Sequence, residues 1–129
     1  MIDFHLDARS GVAPYMQLIH QVRRAMRLGL LTEGDQLPTA KEVVGKIAIN
    51  PNTVLKAYRE LEYEGLVKLR TGVGTFIART LSDETLAAHA PLRIELERWL
   101  AQAREAGLND ESIEALFVSA FRAQAEARS

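Results

Sequence analysis

Cysteine is absent from this chain of 129 residues, which excludes disulfide scaffolds, thiolate metal sites and cysteine nucleophiles. The three histidines, His5, His20 and His89, are scattered and show no metal-ligand spacing. No apolar run approaches the length of a membrane span, and the first residues have neither the basic segment nor the apolar core of a signal peptide. We therefore expect a cytoplasmic protein with no metal, no cofactor and no membrane contact.

Catalytic motifs are also missing. The five serines lie in no nucleophile motif, and the carboxylates fall on predicted solvent-facing sides of helices. The glycine pair Gly72 and Gly74 precedes a predicted strand and not a helix, so it does not form a phosphate-binding loop. The sequence therefore predicts a protein that is not an enzyme.

The net charge of −1 conceals a division of charge along the chain. Residues 1–80 carry 11 Lys or Arg and 8 Asp or Glu, a net charge of +3, whereas residues 81–129 carry 5 and 9, a net charge of −4. A basic first part is suited to an anionic partner. The alternative is a chance imbalance between two solvated surfaces.

Three helices are predicted before residue 66. Apolar residues recur at intervals of three and four over residues 13–30, which predicts an amphipathic helix with one buried stripe. Thr39 and Glu42 fit a capping box at the start of a second, short helix. The third helix is predicted to begin at Asn50-Pro51 and to end at Gly65, since Asn is a preferred N-cap and Pro a preferred first residue.

A β-hairpin is predicted next. Residues 66–70 and 75–78 are short and rich in strand-forming residues, and a glycine-containing turn, residues 71–74, connects them. Three helices followed by a hairpin is the order of a winged helix-turn-helix. In this fold the third helix buries one side and presents the other to the DNA major groove, while the hairpin reaches the flanking backbone.

The exposed side of the third helix is predicted to carry Asn52, Lys56, Arg59 and Tyr63. An Asn side chain can bond an adenine edge, and Lys and Arg are suited to guanine or phosphate. In the hairpin, Lys68 and Arg70 supply charge, and the glycines allow close approach to DNA. Each feature has a purely structural alternative: Asn50 as a helix cap, the two cations as a solvated surface, and the glycines as a turn.

Several runs resemble the GntR family of bacterial transcription regulators. They are Tyr15-Met-Gln-Leu18, Gly29 to Pro38, Asn52-Thr-Val54, Ala57-Tyr-Arg-Glu-Leu61, Glu64-Gly65 and Gly72-Val-Gly-Thr-Phe76. The resemblance covers residues 10–79 almost without gaps. It implies a DNA-binding domain over residues 1–80, with contacts from Thr39, Lys41, Asn50, Asn52, Thr53, Lys56, Arg59, Arg70, Thr71, Gly72 and Gly74.

Two positions depart from the usual pattern of the family. Where it commonly has Arg after the Leu-Pro turn, this chain has Lys41, and where it commonly has Ser-Arg or Thr-Arg, this chain has Asn50-Pro51. The second change removes one guanidinium from the base-reading end of the helix. Asn-Pro-Asn-Thr-Val is instead similar to the YtrA subfamily, which has a short C-terminal part of two helices and implies a repressor whose small-molecule effector is unknown.

Residues 81–129 are predicted to be helical, with a cap and first turn at residues 82–84 and either a kink or a restart at Pro91. Asn109 is predicted to cap the last helix. Two helices cannot bury all their apolar residues against each other, so we expect this part to form a homodimer. The expected contacts are Leu96, Trp99, Leu100, Ile113, Leu116, Phe117 and Phe121. The alternative is that they pack against the winged helix of the same chain.

The sequence thus predicts a mainly α-helical chain with a small β-hairpin, a winged helix-turn-helix followed by a two-helix dimerisation region. The predicted partners are a pseudo-palindromic DNA operator and a second copy of the chain. The alternative function is a winged-helix protein-interaction module that lacks specific DNA binding.

Overall fold

The computed structural model describes residues 2–81 and 89–128. The chain divides into two compact units, Met1–Ala87 and Ala88–Ser129. The first contains α1 (Pro14–Arg27), α2 (Ala40–Val44), α3 (Pro51–Tyr63), β1 (Val67–Arg70) and β2 (Gly74–Ile77). The second contains α4 (Ala90–Glu105) and α5 (Asp110–Ala127). This is the mainly α-helical architecture with one hairpin that the sequence predicts.

The core of the first unit lies where α1 and α3 pack together. Leu18, Val22 and Met26 of α1 and Val54 and Leu61 of α3 are completely shielded from solvent. Their spacing of three and four residues places each set on one side of its helix, so both helices turn an apolar stripe inward. This packing decides which side of α3 remains free.

A local cap sets the start of α2. The Thr39 hydroxyl accepts a hydrogen bond from the Glu42 backbone N–H at 3.1 Å, and the Glu42 carboxylate accepts one from the Thr39 N–H at 3.2 Å. This is the predicted capping box. The predicted end of α1 at residue 30 is wrong, because the helix ends at Arg27, and Gly29 has a positive φ of 76° that a helix cannot contain.

The hairpin pairs β1 with β2 in antiparallel register, from Val67 opposite Ile77 to Arg70 opposite Gly74. The segment before α2 runs beside β2, since the Leu37 N–H donates to the Thr75 carbonyl at 2.8 Å and the Ile77 N–H donates to the Asp35 carbonyl at 2.8 Å. The hairpin is therefore attached to the segment that leads into α2.

Residues 2–12 lie against α1 and α2. The Gln21 side chain bonds both the N–H and the carbonyl of His5, and the Gln17 amide group donates to the carbonyls of Asp7 and Val12. Phe4 is buried in the core. Two glutamines four residues apart on α1 thus fasten the N-terminal segment to the first unit.

In the second unit, Pro91 lies in the first turn of α4. Of the two alternatives, a kink within a helix or the start of a helix, the structure has the start. The predicted cap at residues 82–84 falls outside the described residues. The Asn109 side chain accepts a hydrogen bond from the Ser112 N–H at 2.9 Å and caps α5 as predicted. Within residues 2–81 and 89–128, no helix is long and apolar enough to cross a membrane.

Candidate nucleic-acid interface

The exposed side of α3 carries a row of side chains that take no part in the core. Asn52, Lys56, Arg59 and Tyr63 all face solvent, and Tyr63 is 91% exposed. Val54, Ala57, Tyr58 and Leu61 face the opposite way into the core. We call the four exposed residues the polar row. The helix therefore has the two-sided character that a recognition helix needs.

The N-terminus of α3 is set by Asn50 and Pro51. The Asn50 side chain accepts a hydrogen bond from the Asn52 backbone N–H at 2.8 Å. This cap orders the first turn, from which the Asn52 and Thr53 side chains project, with Thr53 partly buried. Pro51 has no N–H, and the Thr53 and Val54 N–H groups donate to the Asn50 carbonyl at 2.9 and 3.4 Å, so what this helix start offers a phosphate is the positive end of the helix dipole.

Tyr58 ties α3 to the segment before α2. It is 6% exposed, and its hydroxyl donates to the Pro38 carbonyl at 2.5 Å. Burial, with a smaller effect from the Glu42 carboxylate, raises the pKa of Tyr58 well above its ordinary value. The phenol is therefore neutral at physiological pH and remains a donor that holds the helix-turn-helix together.

Two cations of the interface contact aromatic rings. The Lys56 ammonium lies 4.0 Å from the centre of the Tyr15 ring, and the Arg70 guanidinium lies 5.1 Å from the centre of the Phe76 ring. Such contacts orient a cation and leave its other donors available. Both side chains nevertheless remain exposed.

The other predicted residues lie on α2 and at the hairpin tip. The Thr39 hydroxyl is engaged in the capping box, whereas Lys41 is exposed.

Thr71 and Gly72 form the exposed tip of the hairpin, where Gly72 has φ of +77° and open space around it. Gly74 has φ of +145°, and a Cβ atom there would lie 2.5 Å from the Gln36 side-chain nitrogen. The absence of a side chain at Gly74 therefore leaves room for the Gln36 side chain to pack against the hairpin.

A cleft of about 310 Å³ separates α3 from the hairpin. It is lined by Asn52, Leu55, Tyr58, Arg59, Glu62, Leu69 and Thr75. The Glu62 carboxylate accepts a hydrogen bond from the Leu69 backbone N–H at 2.8 Å, so the hairpin is bonded directly to α3. This bond sets the position of the hairpin relative to the polar row.

Leu55 is the residue of this surface that sequence reasoning missed. Its side chain is 48% exposed in the cleft, and Leu69 across from it is 58% exposed. The sequence feature that could have identified Leu55 is its position along α3. It directly follows Val54, so it lies outside the buried stripe of this helix. Hydrophobic periodicity alone does not distinguish such a residue from a core residue.

The predicted dimerisation residues lie on α4 and α5. Leu96, Leu116, Phe117 and Phe121 are exposed, Trp99 and Leu100 are half-buried, and Ile113 is buried with Ala103. The Phe117 and Phe121 rings stack with centres 6.2 Å apart. In this part of the chain the apolar surface remains largely uncovered within the unit.

Residues 14–77 match the profile of a family described as "Bacterial regulatory proteins, gntR family". The HTH-type transcriptional repressor YtrA of Bacillus subtilis (strain 168) is 33% identical, over 84% of this chain and 84% of the relative. Among solved structures, YtrA from Sulfolobus acidocaldarius, a GntR-family transcription factor, matches with a TM-score of 0.54 and 25% identity, over 98% of this chain and all of that one. AraR(DBD) in complex with operator ORX1 matches with a TM-score of 0.50 and 25% identity, over 58% of this chain and 92% of that one.

Proposed function

Since this chain belongs to the gntR family of bacterial regulatory proteins, which are transcription regulators and not enzymes, we propose that it represses transcription as a homodimer on a pseudo-palindromic operator. The observation that carries the proposal is the polar row on α3 beside the hairpin tip. The core of the first unit is complete without it. We further propose a cytoplasmic location, where such an operator is found.

Docking of α3 in the major groove is supported by the order of groups along it. The electropositive helix start and Asn52 come first, followed by Lys56 and Arg59 on the same side. Phosphate contacts would come from Lys41, Thr71 and Arg70, and base contacts from Asn52 and Lys56. The hairpin, bonded to α3 by Glu62, would follow the adjacent backbone.

The homodimer is supported by the surface of the second unit. Of the described residues in α4 and α5, only Ala103 and Ile113 are buried apolar side chains. An uncovered apolar strip of this kind is unfavourable in water, and a two-fold contact between two copies would cover both strips at once. The two recognition helices would then read half-sites related by the same two-fold axis.

Repression is the direction of regulation that a relative supports. The YtrA relative from Bacillus subtilis is named a repressor, and the AraR domain was crystallised with an operator. A dimer that occupies an operator near a promoter competes with the polymerase for the same DNA.

Selection from a random duplex library tests the proposal. The full chain is expected to enrich an inverted repeat and to bind it at least about a thousandfold more tightly than random duplex. That affinity falls steeply between about 50 and 200 mM salt, because phosphate contacts release counterions. No enrichment, with equal binding of all duplexes, contradicts the proposal and favours a protein-interaction module.

A further inference from the structure

Leu55 is the exposed apolar side chain on the α3 side of the cleft, between Asn52 and Arg59 and across from Leu69 of the hairpin. It lines the cleft with Asn52 and Arg59, and it is half exposed, so the core does not account for its position. It follows Val54 directly, and Val54 is completely buried. The leucine side chain cannot form hydrogen bonds with water, so its exposure here gives it no favourable interaction with solvent of the kind that the polar residues around it have.

The chemistry of the major groove limits what a leucine can contact there. The groove walls are charged phosphates, and the base edges present hydrogen-bond donors and acceptors. The apolar group that identifies a base on this edge is the 5-methyl of thymine. A leucine on the groove-facing part of a recognition helix therefore has one favourable and sequence-dependent contact.

We propose that Leu55 reads a thymine by packing against its 5-methyl group and so sets one position of the operator half-site. The proposal rests on the proposed operator binding, and the cations beside the cleft support it. Lys56 and Arg59 flank Leu55 on α3, so the positive charge that attracts the duplex brings the leucine to the base edges.

The spacing of Leu55 and Asn52 makes the reading specific. Three residues correspond to a rise of about 4.5 Å and a rotation of about 300°, so the two side chains project close together from neighbouring sides of α3. The two side chains therefore address the same base pair or adjacent ones. Asn52 is suited to the adenine edge and Leu55 to the thymine methyl, so the half-site has an A·T pair or an A·T-rich step at this place.

Replacing thymine by deoxyuridine tests the contact, since the two bases differ by the methyl group alone. Each thymine in one half-site of the selected operator is replaced in turn, and the affinity of the full chain is measured by titration. We expect one position at which binding weakens about fourfold, the contribution of one buried methyl-sized group. Leu55→Ala binds the thymine duplex about fourfold or more weakly and no longer distinguishes thymine from deoxyuridine there.

Leu69→Ala is the matched control, because it removes a leucine from the hairpin side of the same cleft. This variant retains the sensitivity to deoxyuridine. The inference is overturned if no single replacement lowers affinity, if the half-site contains no thymine, or if Leu55→Ala remains equally sensitive. Failure of the proposed function is seen earlier and separately, as the absence of any selected operator.

Discussion

The tasks proposed for two asparagines at the start of α3 differ although only Pro51 separates them. Asn50 is engaged with the backbone of its own helix, whereas Asn52 faces solvent at the head of the polar row. The cap was predictable from the sequence, because an Asn-Pro pair is a local signal. The exposure of Leu55 was not, because it depends on which side of α3 the rest of the chain covers.

Alanine substitution of each asparagine separates the two tasks. Asn50→Ala is expected to lower the free energy of unfolding by about 1 kcal/mol, the usual cost of a lost cap. Asn52→Ala is expected to leave stability within about 0.5 kcal/mol and to weaken operator binding by about 1–3 kcal/mol. Urea unfolding and duplex titration measure the two quantities. Wild-type affinity in Asn52→Ala would show that α3 docks differently.

Removal of the Tyr58 hydroxyl is expected to destabilise the first unit. Tyr58→Phe leaves the buried Pro38 carbonyl without its donor and costs about 1–3 kcal/mol near neutral pH. The pKa of Tyr58 is raised in the folded state, so its stabilisation is complete below about pH 10 and is lost as the pH rises further.

The pH dependence is measured as the difference in unfolding free energy between the wild type and Tyr58→Phe. This difference is expected to shrink from about pH 7 to about pH 11. Tyr63→Phe provides the control, since Tyr63 is almost fully exposed. A difference that stays constant over this range would mean that the phenol is not held neutral by the fold.

At the scale of elements, the hairpin is bonded both to α3 and to the segment before α2. Glu62 bonds the hairpin to α3, and Gln36 donates to the Val73 carbonyl at 3.3 Å. The starts of α2, α3 and α5 were predictable, because each cap is formed by two residues that lie only two or three positions apart in the sequence. The Glu62 contact spans seven residues and the Gln36 contact 37, and neither has a local signature.

Two substitutions at Gly72 test whether the hairpin tip meets DNA. Asp and Asn have nearly the same shape, and both tolerate a positive φ better than other residues do. Gly72→Asp places a carboxylate beside phosphate, so it is expected to bind all duplexes about tenfold more weakly than Gly72→Asn does. Equal binding by both variants, measured at low salt, would show that the tip does not approach the DNA backbone.

At the scale of the whole molecule, the two units have opposite charge and different surfaces. The basic residues lie mostly in the first 80 positions, and the uncovered apolar residues of α4 and α5 lie in the second unit. Composition and periodicity predict a boundary after residue 80, whereas the two units meet between Ala87 and Ala88. They did not identify what covers the apolar strip, because the same pattern serves packing within one chain and between two.

A charge on the apolar strip tests the homodimer in the full chain. Phe121 is 65% exposed, so Phe121→Glu is expected to fold normally while it weakens dimerisation at least about tenfold by burying a carboxylate. Arg122→Glu introduces the same group about 100° away around α5 and serves as the control. Sedimentation over a concentration series measures both. A dimer unaffected by Phe121→Glu would contradict the role proposed for this strip.

A chain that ends at Leu81 examines the first unit alone. This end keeps Leu81, which packs against the core, and Thr80, whose hydroxyl accepts from the Glu33 N–H at 3.1 Å. We expect a folded monomer with most operator affinity lost, because each half-site is then bound independently. A truncated chain that sediments as a dimer would move the dimer contact into the winged helix.

The separation of the polar row from the core has an evolutionary consequence. The four residues of the polar row, and Leu55 beside them, can each be exchanged without opening a cavity, since all are exposed. Mutations at these sites can therefore accumulate without loss of folding, and duplicated copies of such a gene can diverge in the DNA they select. The scaffold is inherited unchanged while its preference drifts, which allows one genome to hold many regulators that do not interfere with each other.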